Sequence, residues 1–382
     1  MPLLAVGTFL MCTSEFIVAG LLNQISTGLD VSVAEVGLLI TAFAIGMVVG
    51  APVMAVATLR LPRRSTLVIA LLVFALGHVI AAVSASFAIV LCARVLTAVA
   101  TGAFWSVASV VATSAAGPAR SSRALGVMMS GVGLATVAGV PLGSLSGQLV
   151  GWRGSFWALA VLAAIAAVVI GRFAPADADR QPQSARTEIR ALAQGPTWLL
   201  VAATVLVTGA YMGAFSYISP LLTDRTGLPE WAVPILLVCF GVGALIGTNV
   251  AGRLADARPL LTFLAAAVGI AVVLALLIAL SPFVVSTIVL VVLLGIVGMA
   301  VPPVATGLAV RFAPSAPTLA AALAVAAFNA GTAIASWLES DAIDGPLGVT
   351  APEVIGIAMA VLGLIPLSIL ALRRTTSTPP LI

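Results

Sequence analysis

The stretch Leu10-Met11-Cys12-Thr13-Ser14-Glu15-Phe16-Ile17-Val18-Ala19-Gly20 decides how this chain is read. It lies in an apolar run over residues 3–25, long enough to cross a bilayer as one helix. Glu15 falls near the middle of that run, about 18 Å in at 1.5 Å per residue. A carboxylate at that depth costs on the order of 3 kcal/mol, so an acid there is expected to have a function. The expectation is a group that binds and releases a proton or cation during transport. The competing reading is a protonated Glu15 that only hydrogen-bonds a neighbouring helix.

The rest of the chain supports a membrane setting. Of 382 residues, 62% are hydrophobic and 8% charged, far from soluble usage. All 17 basic residues are Arg. Apolar spans are expected at 3–25, 34–57, 66–86, 88–112, 124–149, 154–174, 197–221, 232–252, 260–280, 283–310, 318–338 and 352–372. None shows the strict alternation of barrel strands. The first run has no basic n-region, so it reads as a first span rather than a cleaved signal peptide.

Arginine placement sets the orientation. Arg60, Arg63 and Arg64 follow span 2, Arg120 and Arg123 span 4, and Arg172, Arg180, Arg186 and Arg190 span 6. Arg253 and Arg258 follow span 8, Arg311 span 10, and Arg373 and Arg374 span 12. Both termini are therefore expected in the cytoplasm. The polar stretch after span 6 reads as a flexible linker, with a short surface helix near 187–193. The expected domains are a six-helix half over 1–174, a linker over 175–195 and a second half over 196–382. Arg60-Leu61-Pro62-Arg63-Arg64 and Arg253-Leu254-Ala255-Asp256-Ala257-Arg258-Pro259 sit at matched positions, which suggests duplicated halves around a midplane site.

Span 5 carries Gly131, Ala135, Gly139, Gly143 and Gly147, a small residue at every fourth position, and Pro141 lies among them. Such a face lets another helix approach backbone to backbone. Span 8 carries Cys239, Gly243, Gly247 and Ala251, and the two ladders are expected to face each other across the junction of the halves. On span 4, Arg94, Thr101 and Trp105 share one face. Arg94 is expected either to couple with Glu15, the other full charge placed inside the spans, or to snorkel to the interface. His78 on span 3 is expected in an interhelical hydrogen bond. Phe16, Thr101, Trp105, Met128, Met129, Tyr211, Phe215, Tyr217, Asn329, Thr332 and Ser336 offer the mixture of soft and polar groups that suits a small-molecule cavity. Cys12, Cys92 and Cys239 read as small buried hydrophobes. No phosphate-binding lysine motif, metal spacing or catalytic triad is present, so no enzyme, cofactor or nucleic-acid role is expected.

As an ensemble these features resemble the major facilitator superfamily, in its twelve-span drug:proton antiporter branch. Thr13-Ser14-Glu15-Phe16 with Gly20-Leu21-Leu22 resembles the chloramphenicol-resistance and arabinose-efflux exporters. Gly50-Ala51-Pro52 with Pro62-Arg63-Arg64 resembles the loop motif. Its usual Asp is replaced at Leu59, while the second half keeps Asp256. Arg94 resembles the fourth-span arginine motif. Gly131 to Gly143 with Pro141 resembles the fifth-span antiporter motif, and Trp152-Arg153-Gly154-Ser155-Phe156 resembles the turn into span 6. The resemblance implies an all-α membrane protein of twelve transmembrane helices in two pseudo-symmetric six-helix halves. It implies a monomer in the bacterial inner membrane that exchanges protons for a small molecule. Glu15 and Arg94 would serve proton coupling, and the loop residues Arg60, Arg63, Arg64, Asp256 and Arg258 gating. Antibiotics such as chloramphenicol are one cargo class, and sugars, nucleosides or other metabolites the other.

Overall fold

The computed structural model describes residues 2–58, 61–116, 121–173, 195–313 and 317–376. Residues 175–194 of the expected linker, with its surface helix, and Arg60 lie outside them. Among the described residues, twelve helices are long and apolar enough to cross a membrane: Pro2–Gly20, Val33–Ala51, Arg63–Val83, Phe87–Ala108, Val127–Val150, Trp152–Phe173, Pro196–Ser216, Glu230–Ala255, Pro259–Leu280, Val284–Phe312, Ala322–Ile343 and Gly348–Arg373. They are numbered here as spans 1 to 12, and no strand occurs among the described residues.

In the middle of span 6 small residues face inward and large ones outward. Span 6 buries Ala160, Ala163, Ala166 and Ala167 and exposes Val161, Leu162, Ile165 and Val168. Span 3 likewise exposes Ile69, Leu72 and Leu76. In lipid, large apolar groups gain nothing by moving inward, whereas small ones let helices pack closely. Cys92 departs from expectation: it is exposed on span 4, while Cys12 is buried. Met129 also points outward.

The chain forms two compact units, residues 1–181 with 216–241, and residues 182–215 with 242–382. In the first unit span 1 packs on span 5, span 2 on span 4, and span 3 on spans 4 and 6. Ser32 and Glu35 open span 2 as a capping box: Ser32 N–H donates to Glu35 Oε2 at 2.8 Å, and Glu35 N–H to Ser32 Oγ at 3.1 Å. Residues 216–241 belong to this unit through side-chain contacts. Asn23 Nδ2 donates to Thr223 Oγ1 at 3.2 Å, and Tyr217 sits over Gly37, where a Cβ would strike its hydroxyl. In the second unit span 9 packs on spans 10 and 12, and span 11 on spans 10 and 12.

Spans 1, 5, 7 and 10 are interrupted where continuous helices were expected, span 10 at Met299 and Ala300. In span 1 the α-helix stops at Ile17, a tight turn covers Val18–Gly20, and a new helix runs over Leu22–Leu29. In span 5 a π-turn over Ala135–Gly139 precedes Pro141, which has no N–H to give the preceding turn. The run around span 7 breaks after Ser216 and resumes at Ile218.

The glycine ladders do not face each other. A Cβ on Gly131 would meet Ala5 O and Phe9 N, on Gly139 Thr13 and Phe9, on Gly143 Ile17, and on Gly147 Leu21 and Gln24. The span 5 ladder is therefore fitted to the 5, 9, 13, 17, 21 face of span 1. Gly243 and Gly247 of span 8 instead meet Val292 and Ile296 of span 10. Span 8 does touch span 5, but through Gly241, whose Cβ would meet Thr136 and Val137 on the π-turn. Matching small-residue spacing identifies surfaces built for close approach; it does not identify which surface each one meets.

Gly143→Val would push against Ile17 and is expected to destabilise by about 1–3 kcal/mol. This would appear as a lower thermal midpoint of the detergent-solubilised protein. Gly252→Ala, with nothing within 4 Å of its Cβ position, should not lower that midpoint.

Candidate functional site

The interruption of span 1 creates the problem that the site solves. The last four carbonyls of an α-helix have no partner within the helix, and the membrane interior offers little water to replace one. Ser14 and Glu15 lie in that last turn. Arg94, buried at 1% exposure on span 4, supplies the donors. Its Nη1 donates to Ser14 O at 2.9 Å and to Ser14 Oγ at 3.1 Å, and its Nη2 reaches Glu15 O at 3.5 Å. Nε donates to Leu39 O on span 2 at 3.3 Å, and the guanidinium lies 4.3 Å from the Phe43 ring centroid. A cation at a helix C-terminus also complements the negative end of the helix dipole. Arg94 therefore does not snorkel. It caps the broken helix and joins spans 1, 2 and 4.

At the end of the tight turn, Gly20 O accepts from Ser144 Oγ on span 5 at 2.9 Å. Gly20 has to be small here, because a Cβ would press on Ser144 and Leu237.

A polar chain runs onward from Arg94. Ser14 Oγ lies 2.8 Å from His78 Nε2, and His78 Nδ1 lies 2.8 Å from Phe74 O. A carbonyl can only accept, so Nδ1 carries the ring proton. Nε2 then accepts from the Ser14 hydroxyl, which in turn accepts from Arg94. Every group is satisfied with a neutral imidazole. Phe74 and Phe156 enclose the ring, with centroids 4.2 Å and 5.6 Å away. The interhelical bond expected of His78 is present, with Ser14 as a partner that sequence position did not reveal.

Glu15 is half-buried, one turn from the helix break. Arg94 contacts its backbone carbonyl and acts on its carboxyl electrostatically, and no hydrogen bond joins the two side chains among the described residues. The couple expected between Glu15 and Arg94 therefore runs through the main chain.

The other expected residues are distributed as follows. Thr101 is buried and donates to Thr97 O at 2.8 Å, with Met11 Sδ 3.2 Å away on span 1. Phe16 and Trp105 are half-buried and Met128 is buried. With Gly131, Gly139, Pro141 and Gly143, all of these lie in the first unit. Tyr211, Phe215, Asn329 and Thr332 lie in the second. Tyr211 packs where a Cβ on Gly298 would be. Asn329 Nδ2 donates to Val325 O at 3.0 Å and Thr332 Oγ1 to Phe328 O at 3.0 Å, each one turn back on span 11. Arg63 and Arg64 open span 3, and Arg258 precedes Pro259 at the start of span 9. Asp256 lies in the helix of span 8, but its side chain is outside the described set.

Glu15 and Arg94 are not the only charged residue types buried in the spans. Glu339 and Glu353 are 0% and 1% exposed, on spans 11 and 12. The sequence reading ended span 11 one residue before Glu339 and passed over Glu353 inside span 12. Their helices run over Pro317–Ile343 and Ala351–Thr376.

The chain contains one histidine, so its ring nitrogens can be followed without ambiguity. Nitrogen NMR of 15N-histidine-labelled protein should show the neutral Nδ1–H form, and Ser14→Ala should change the Nε2 signal. Ser14→Ala should also cost about 1–3 kcal/mol in thermal unfolding, because Nε2 loses its donor in a dry site. Arg94→Lys keeps the charge, but one ammonium cannot span Ser14, Glu15 and Leu39; a loss of about 2–3 kcal/mol is expected.

Comparison with known proteins places this geometry in context. The chain is 37% identical over 337 residues to a chloramphenicol resistance protein of Streptomyces lividans, covering 87% of this chain and 86% of that one. It is 32% identical over 366 residues to the inner membrane transport protein YdhP of Escherichia coli K12, covering 95% and 93%. Among solved structures, a point mutant of the nucleoside transporter NupG aligns with a TM-score of 0.77 at 13% identity, over 97% of this chain and 98% of that one. A bacterial homologue of the human lysosomal transporter Spinster, inward-facing and occupied, aligns with a TM-score of 0.74 at 16% identity, over 100% and 98%. At those identities the likeness concerns the fold. The family model described as Major Facilitator Superfamily matches residues 4–338. This chain, a multi-pass transporter rather than an enzyme, belongs to the Major Facilitator Superfamily.

Proposed function

We propose that the chain is a proton-coupled antiporter that exports small amphipathic compounds, phenicol antibiotics among them. It would work by alternating access in a bacterial inner membrane, with both termini cytoplasmic. The observation that carries this reading is the placement of Glu15: an acid inside span 1, in the last turn before a helix break whose cap is a buried arginine. The 37% identity to a chloramphenicol resistance protein supports the cargo class. The arginines after the even-numbered spans support the orientation.

The chemistry follows from competition for one guanidinium. With Glu15 protonated, Arg94 stays on the main-chain carbonyls of Ser14 and Glu15. With Glu15 ionised, its carboxylate is the stronger acceptor and draws Arg94 from the helix end. Span 4 and the broken end of span 1 then change their relation. A proton thus biases which packing of the two six-span halves is favoured, which is what exchange by alternating access requires. The half-buried Phe16 and Trp105, together with Met128, Tyr211, Phe215, Asn329 and Thr332, are the proposed cargo contacts. Gly131, Gly139, Gly143 and Pro141 are the proposed rigid seam, and Arg60, Arg63, Arg64, Asp256 and Arg258 the proposed gating residues. We propose a monomer as the working unit.

The test is expression in a pump-deficient bacterium challenged with a drug panel that includes chloramphenicol. Wild type should raise resistance and show uncoupler-sensitive efflux. Glu15→Gln, at matched expression, should lose both while retaining cargo-for-cargo exchange in vesicles. Full gradient-driven efflux by Glu15→Gln would remove Glu15 from coupling. Resistance to no drug would turn the cargo assignment to metabolites.

A further inference from the structure

A second acidic site lies in the other unit. Near its end, span 11 turns Glu339 fully inward, and Glu353 enters from the first turn of span 12. The segment between the helices is short, with a turn over Gly348–Thr350, so the two acids are brought to the same end of neighbouring spans. They lie within electrostatic reach of each other. The Glu339 carboxyl rests on span 7 at Gly213, where a Cβ would strike it. Both Glu339 oxygens are buried and neither has a hydrogen-bond partner among the described residues.

Among the described residues no cation of this unit compensates Glu339. Span 7 has no charged residue over Pro196–Ser216 and meets the carboxyl at Gly213. Span 9 has no acid or base over Pro259–Leu280, and span 10 has only Arg311, in its last turn. On span 12 the described cation is Arg373, twenty residues beyond Glu353. Asp341 and Asp344, next along the chain from Glu339, are exposed. An ionised carboxylate without donor or counter-ion in such a place carries a penalty of several kcal/mol. A single-residue glycine seat that holds the acid in that position has no packing purpose that an apolar residue would not serve better.

We propose that Glu339, paired with Glu353, is a second proton-binding site of this transporter, in the unit that does not contain Glu15. The bound proton is what allows both acids to stay buried together, and any state that admits water to the end of span 11 releases it. The site makes no use of Arg94, Ser14 or His78, and its proton is counted separately from that of Glu15.

The experiment reads the carboxyl itself. The full chain is reconstituted into phosphatidylethanolamine and phosphatidylglycerol vesicles, and infrared spectra are recorded along an acid-to-alkaline ramp. Glu15→Gln serves as the background, so the result stands whatever becomes of the coupling role of Glu15. A protonated-carboxyl band should disappear along the ramp and be absent in added Glu339→Gln. Its pH midpoint should move by about one unit, a tenfold change in proton affinity, in added Glu353→Gln. The proposal falls if the band is unchanged by Glu339→Gln or stays constant across the ramp. It also falls if sodium ion alone removes the band while pH does not. Should Glu339→Gln fail to fold, Gly213→Ala, which displaces the carboxyl without deleting it, must shift the band; an unshifted band overturns the proposal.

Discussion

A helix that stops inside a membrane must find donors for its final carbonyls, and much of the first unit is arranged to supply them. Span 1 ends its regular course at Ile17, and Arg94 from span 4 and Ser144 from span 5 close the ends it leaves open. Removing water makes each of these bonds stronger and each vacancy more damaging. Arg94 is therefore both a structural cap and the nearest cation to Glu15. One group in two roles is a simple way for a proton to influence the fold, because whatever draws on the guanidinium also draws on the helix end.

The glycine ladder of span 5 complements this cap. Its glycines bring the backbone of span 5 against every fourth residue of span 1, against main chain at Gly131 and against the side chains of Thr13, Ile17 and Leu21 further along. Close-packed interiors transmit displacement rather than absorb it. The π-turn at Ala135–Gly139 keeps Gly131 and Gly139 in line with span 1 although the helix around them is irregular. The same turn receives Gly241, from the stretch of span 8 that clusters with the first unit.

Span number and helical class were legible because hydropathy and arginine alternation check one another along the whole chain. Glu15 and Arg94 were legible as misplaced charges. Their real relation was not: a contact from Arg94 Nη2 to the main-chain oxygen of Glu15, seventy-nine residues away, leaves no mark in side-chain chemistry. Ser14 was quoted only as part of a signature, although its hydroxyl links Arg94 to His78. The ladders could be read as close-approach faces, but four-residue spacing is the same whichever helix is approached. Glu339 was missed because the apolar run was cut one residue before it, whereas the helix runs on to Ile343; Glu353 lay inside the run drawn for span 12 and was passed over.

His78 sets a boundary on any route for protons through the first unit. Its Nδ1 proton is committed to Phe74 O, on the same helix one turn back, and its other nitrogen is occupied by Ser14. To hand a proton onward the ring would have to give up a main-chain acceptor inside an aromatic enclosure. The histidine is thus a terminus rather than a conduit. On the proposed coupling role of Glu15, its proton would have to come and go without passing through the histidine ring.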